Sequence, residues 1–138
     1  MSRRLLTGLL TTLVLAGCSK APPASPTLAG EWTPVSAALG GADFPVANFG
    51  GATLKLTANT YELASDKGTY ALVTTDPPAK MDIRGTEGPN AGRSIPAIYA
   101  LSADTLTICY QLGEGERPGE FASPAGSRVL LVRYTRVP

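Results

Sequence analysis

The sequence predicts an all-β fold, an antiparallel up-and-down barrel of about eight strands behind a helical export segment. Three observations predict it. Downstream of residue 28, apolar and polar residues alternate with a period of two in short runs divided by Gly, Pro, Asn and Asp. No segment beyond the first 17 residues carries a 3.6-residue apolar period. The connections are mostly of hairpin length, and such a meander tends to close on itself because closure removes the exposed strand edges. An eight-stranded barrel is filled by its own side chains or holds one small ligand. A two-sheet sandwich is the runner-up.

Residues 1–17 read as a signal peptide and are set aside from the fold. Arg3 and Arg4 form a positive start, and Leu5 to Leu15 is an uncharged apolar run. As a helix that run covers about half of a ~30 Å hydrocarbon core, too little for a permanent span. Leu15-Ala16-Gly17-Cys18 follows, with two small residues before a thiol. It resembles the lipobox of bacterial lipoproteins, which implies cleavage before Cys18 and lipid on its sulfur. Several acyl chains, at about 0.8 kcal/mol per buried CH₂, hold a protein to a membrane essentially without release. No later run approaches the ~20 apolar residues of a spanning helix. After Cys18, residues up to Thr27 hold three prolines with serine and alanine and read as a tether. Residues 28–138 form the domain.

The strands follow in order. Leu28 to Leu39 is extended but interrupted at Pro34, which cannot donate to a ladder and marks an edge or bulge. Gly40-Gly41 ends it, and Asp43 to Gly51 is irregular, with Phe44 and Phe49 placed to plug a barrel end. In Ala52 to Thr57, Leu54 and Leu56 face one way. Asn59 marks a turn, Tyr61 and Leu63 repeat the alternation, and Asp66-Lys67-Gly68 has the chemistry of a tight turn. Tyr70 and Leu72 lie on the next strand, ended by Asp76-Pro77-Pro78. Lys80 to Arg84 is a short strand with Met81 and Ile83 on one face, and Thr86 to Arg93 a polar loop. Ile95 to Leu101 and Thr105 to Gln111 are strands about an Ala103-Asp104 turn, the second with Leu106, Ile108 and Tyr110 on one face. Gly113 to Gly126 is the longest loop, and Val129 to Arg136 closes the domain with Leu130, Val132 and Tyr134 on one side.

Composition excludes several chemistries. There is no histidine, hence no histidine base, His-containing zinc site or histidine-dependent triad. With Arg3 and Arg4 gone, acidic residues outnumber basic ones by one, which offers nothing to nucleic acid. Lipid on Cys18 leaves Cys109 without a disulfide partner, in a strand-like run that favours a buried, inert thiol over a reactive one. No Walker, dinucleotide or Ca²⁺-loop pattern is present, so no cofactor or metal is expected.

Gly30-Glu31-Trp32, at the start of the first strand, is similar to the Gly-x-Trp of lipocalins. The resemblance implies a tryptophan packed across the closed end of the barrel, with Arg133 or Arg136 of the last strand stacked over it. Such cation–π packing contributes about 0.5–2 kcal/mol. The chain stops after the last strand, without the C-terminal helix of true lipocalins. A longer match runs through Met81-Asp82-Ile83, Thr86-Glu87-Gly88-Pro89-Asn90, Gly92-Arg93, Ile98-Tyr99, Asp104 to Tyr110 and Glu116-Arg117-Pro118-Gly119-Glu120-Phe121. In order and spacing these pieces resemble a family of small lipocalin-like domains, abundant in planctomycetes and related bacteria, with no assigned function. That resemblance implies the barrel and no activity.

Glu87-Gly88-Pro89-Asn90 fits a β-turn with Pro at the second position and Asn at the third, though its carboxylate and amide could also hold a ligand. Arg117, Glu120 and Phe121 make either a loop latch, with Arg117 on a carboxylate and Phe121 in the core, or a clamp at the barrel mouth. Tyr99 and Tyr110, with Trp32 and Phe121, are candidates to line a lumen. The expectation is therefore a lipid-anchored envelope protein, not an enzyme, that binds a small apolar or amphipathic ligand or an envelope protein. The alternative is a solid barrel acting through its loops. Ser19 in place of an aspartate leans the location toward the outer membrane.

Overall fold

The computed structural model describes residues 27–138. The signal peptide, Cys18 and most of the tether lie outside the described residues. The strands are β1 (Gly30–Leu39), β2 (Ala42–Asp43), β3 (Leu54–Leu56), β4 (Thr60–Leu63), β5 (Asp66–Thr74), β6 (Ala79–Glu87), β7 (Ser94–Leu101), β8 (Thr105–Gln111) and β9 (Val129–Arg136). Among the described residues the helical structure is two 3₁₀ turns, Val46–Phe49 and Gly88–Asn90.

All nine strands form one antiparallel sheet, and β1 pairs with β9 to close it. The result is an eight-stranded barrel, with β2 as a short extra strand on the end of β1. Closure depends on β1 serving two neighbours. Its first residues, Gly30 to Trp32, pair with β3, while Trp32 to Leu39 pair with β9. The register with β9 shifts between Pro34 and Ser36, the bulge expected at the proline. The extra residue, Val35, points out and is 45% exposed, so the inward phase moves from Trp32 and Pro34 to Ala37.

The period-two pattern places one side chain in two inside the barrel. The main core gathers Trp32, Leu54, Leu56, Tyr61, Tyr70, Met81, Ile83, Tyr99, Leu106, Ile108, Val132 and Tyr134 from every barrel strand. A second, smaller cluster of Ile98, Cys109 and Val129, with Leu131 against it, lies on the other face of β7, β8 and β9. The long loop after β8 covers that outer patch.

The strands alternate in direction, so the two barrel ends collect different connections. The start of β1, the turns β3–β4, β5–β6 and β7–β8, and the end of β9 share the first end. The segment after β1, the β4–β5 and β6–β7 turns and the β8–β9 loop share the second. The first end is sealed. Trp32 is fully buried and donates its Nε1–H to the Leu28 carbonyl at 3.0 Å, while the Arg136 guanidinium stacks 4.2 Å from the ring centroid. Arg136 also donates to the carbonyls of Thr27 (2.8 Å), Ala29 (3.1 Å) and Ala103 (3.0 Å). Gly30 sits at φ 143°, and a Cβ there would meet Arg136 Nη1 at 2.8 Å, which explains the glycine of the Gly-x-Trp segment. Arg133 points to solvent, so of the two arginines Arg136 stacks on the tryptophan.

Two expectations need correction. Asp66-Lys67-Gly68 is not a turn. The turn is Ala64-Ser65, with Ala64 at φ 52°, and Asp66 opens β5. Gly68 is required instead by close approach, because a Cβ there would overlap the Arg84 carbonyl oxygen and the Tyr61 ring. The loop expected over Thr86 to Arg93 is shorter, since β6 runs on to Glu87. Within it Ala91 N–H donates to the Gly88 carbonyl at 3.1 Å, the turn expected around Pro89 and Asn90.

Candidate functional site

The second end is not sealed. Above the buried core the barrel interior holds a cavity of about 170 Å³. Its walls are mainly apolar, with the buried Leu54, Leu56, Met81, Ile83, Ile95 and Ile108 and the partly buried Leu63, Leu112 and Leu130. Phe49 is set against Phe44 with ring centroids 5.5 Å apart, so the pair guards one side of the mouth.

Polar atoms enter this apolar space at two places. The first is a carboxylate held by two donors. Tyr61 Oη donates to Asp66 Oδ1 at 3.1 Å, and Asn90 Nδ2 donates to Asp66 Oδ2 at 2.7 Å. Asp66 is placed by the Ala64-Ser65 turn and by the register shift beside Gly68, and Asn90 by the 3₁₀ turn after β6. Arg93 donates to Asn90 Oδ1 at 3.2 Å and to the Leu112 carbonyl, which orients the amide so that its NH₂ faces Asp66. The second is a pair of phenols, Tyr110 and Tyr134, with oxygens 2.8 Å apart. One hydroxyl proton satisfies that contact, so the pair keeps one free donor and spare lone pairs.

The phenols hold their protons tightly. Burial, then the Asp66 charge and its hydrogen bond, pushes Tyr61 well above the ordinary phenol value. Burial first, then the neighbouring Tyr134, does the same to Tyr110, and burial raises Tyr134. Tyr70 contributes its ring to the wall, but its hydroxyl donates downward to the Thr57 carbonyl at 2.5 Å. Among the described residues no buried side-chain nitrogen or oxygen lacks a hydrogen-bond partner.

A comparison with protein-family models, characterised proteins and solved structures finds no match to this chain.

The structure separates the residues singled out in the sequence. Tyr110 lines the cavity. Trp32 and Tyr99 are buried but do not reach it, because Trp32 seals the opposite end and Tyr99 belongs to the packed core. Phe121 is neither in the lumen nor in the core. It is 38% exposed on the covering loop. Arg117 takes the latch role. Its Nη1 donates to the carbonyls of Met81 (2.7 Å) and Ala97 (3.0 Å), and its Nη2 pairs with Asp82. Met81 and Ala97 face each other across β6 and β7 with their own side chains turned inward, which leaves their carbonyls open to the guanidinium.

The Glu120 side chain is exposed, and its carbonyl accepts from the Cys109 thiol at 3.6 Å. Cys109 also donates to the Ala122 carbonyl at 3.5 Å, and burial pushes its thiol up, which fits the buried, unreactive reading. Glu87, Glu114 and Glu116 are likewise exposed and line no part of the cavity. The residues missed by sequence reasoning are Tyr61, Asp66 and Tyr134, while of the carboxylate and amide weighed in Glu87 to Asn90 the Asn90 amide reaches the cavity and Glu87 does not. The alternation of Tyr61 and Tyr134 placed them inside, but no local signal gave their height in the barrel.

Proposed function

We propose that the protein is a lipid-anchored binding protein of the cell envelope, whose barrel holds one small molecule in its open half. The observation that supports ligand binding is the cavity itself, apolar walls around a few convergent polar atoms, at about 170 Å³. Pockets for drug-sized ligands begin at ~300 Å³. A dry cavity of ~150 Å³ takes a molecule of benzene size. The ligand is therefore no larger than a single ring or a short chain. The anchor rests on the charged start, the apolar run and Leu15-Ala16-Gly17-Cys18, and the outer membrane on Ser19. The same reading groups the chain with the small lipocalin-like domains it resembles.

Native mass spectrometry of the protein purified from its own host tests the ligand. A retained small molecule, absent after denaturation and refolding, is expected. An empty barrel in every preparation would sink the ligand reading and leave the loop surface as the acting part. Cys18→Ser tests the anchor: the variant should take up no labelled palmitate, and uptake equal to the unmodified chain would refute lipidation there.

A further inference from the structure

The chemistry of the cavity selects a charge class for its ligand, an inference that rests on the binding reading above. Among the described residues Asp66 is the charged residue lining the cavity. No Lys or Arg nitrogen of these residues pairs with it. Lys67, the next residue along β5, lies 3.9 Å from Glu62 instead. Arg93 reaches only the far oxygen of Asn90 and a backbone carbonyl, is exposed, and does not line the cavity. Asp66 is thus a carboxylate beside an apolar lumen, held by one phenol and one amide but met by no opposite charge.

Five aromatic rings line the same cavity, Phe49, Tyr61, Tyr70, Tyr110 and Tyr134. Ring faces attract cations, most strongly where water is excluded. The hydrogen-bonding inventory points the same way. The carboxylate oxygens and the Tyr110–Tyr134 oxygens offer lone pairs, while one phenol proton and the second N–H of Asn90 are the donors left over. An ammonium group has donors and no acceptor. An anion would meet Asp66 and find no cation.

We propose that the cavity binds a small organic ammonium ion, an alkyl- or arylamine no larger than one ring with a short arm, with its nitrogen at Asp66 and its apolar body against the tyrosine rings. The match is threefold: size, aromatic walls and a single uncompensated negative charge.

Three probes of nearly equal shape test it: benzylammonium, benzyl alcohol and benzoate, each titrated calorimetrically at pH 7 into the full-length protein in detergent. Benzylammonium is expected to bind at least tenfold tighter than benzyl alcohol, and benzoate not to bind. Asp66→Asn, which keeps the shape and can still accept from Tyr61 although its NH₂ cannot accept from Asn90, is expected to lower affinity for the amine at least tenfold and leave the alcohol within a few-fold. The comparison of probes on the unmutated chain reads the charge preference even if the variant fails to fold. Equal or tighter binding of the alcohol, or an amine affinity unmoved in a folded Asp66→Asn protein, would overturn the inference while leaving a ligand-binding barrel. Binding of none of the three to folded protein would overturn both.

Discussion

Removing the Trp32 indole would open a hole where the barrel is sealed, since the ring is fully buried under Leu28 and Arg136. Trp32→Ala should cost about 3–5 kcal/mol, read from urea denaturation. Arg136 contributes in two ways, by stacking on the ring and by collecting three carbonyls from two segments, Thr27 and Ala29 before β1 and Ala103 in the β7–β8 turn. Arg136→Ala should cost about 1–3 kcal/mol. Arg136→Lys should recover only part of that, because an ammonium cannot stack flat and hold the same three acceptors. Full recovery by lysine would mean that charge alone matters there. This corner was legible in the sequence. The likeness of Gly30-Glu31-Trp32 to the lipocalin Gly-x-Trp pointed to it and left Arg133 and Arg136 as alternatives, between which the stacking of Arg136 decides. Asp66 was not legible, because Asp-Lys-Gly carries stronger turn chemistry than Ala64-Ser65, and only the contact of Gly68 with Arg84 and Tyr61 explains why the glycine lies in a strand.

The segment between β8 and β9 has no regular structure, yet it is tied down at several points. Arg117 binds two carbonyls and Asp82, the carbonyls of Glu120 and Ala122 accept from Cys109, and Ser123 Oγ donates to the Val129 carbonyl at 2.7 Å. Its function in the fold is to cover Ile98, Cys109 and Val129 on the outer face of the sheet. Arg117→Ala should free the first half of the loop and lower stability by about 1–3 kcal/mol, since the lost bonds are charge-assisted but partly exposed. Hydrogen exchange should speed up at residues 114–122 and stay slow in β3 to β5. Unchanged exchange in the loop would show that the Cys109 and Ser123 contacts hold it alone. Strand limits were readable where alternation is clean, as in Thr105–Gln111 and Val129–Arg136. The latch partner was not. Pairing Arg117 with Asp82 depends on the registers of β6 and β7, which no local pattern encodes.

At the scale of the whole molecule, the barrel interior is where titration couples to stability. Tyr61, Tyr70, Tyr99, Tyr110 and Tyr134 are all raised above the ordinary phenol value of 10.0, in each case chiefly by burial. A raised folded value means the folded state holds its protons more tightly than the unfolded chain. Their contribution is therefore complete below pH 10 and is lost as pH rises above it. Thermal melting should hold its midpoint from pH 7 to about pH 9.5 and fall steeply by about pH 11. A midpoint that stays level to pH 11 would contradict the buried phenol network. The described chain enters the barrel at the sealed end, where Arg136 grips the Thr27 carbonyl. If Cys18 carries lipid, the residues between it and Thr27 reach at most about 30 Å when fully extended. The lipid then pulls on the sealed end, and the mouth beside Phe49 and Asn90 looks away from the bilayer. A guest would arrive from the water and not by sliding out of the leaflet. In liposomes carrying the lipoprotein, a dye at Asn48 beside the mouth should meet a water-borne quencher freely, and a dye at Asp104 on the opposite rim should be shielded. The reverse result would turn the cup over.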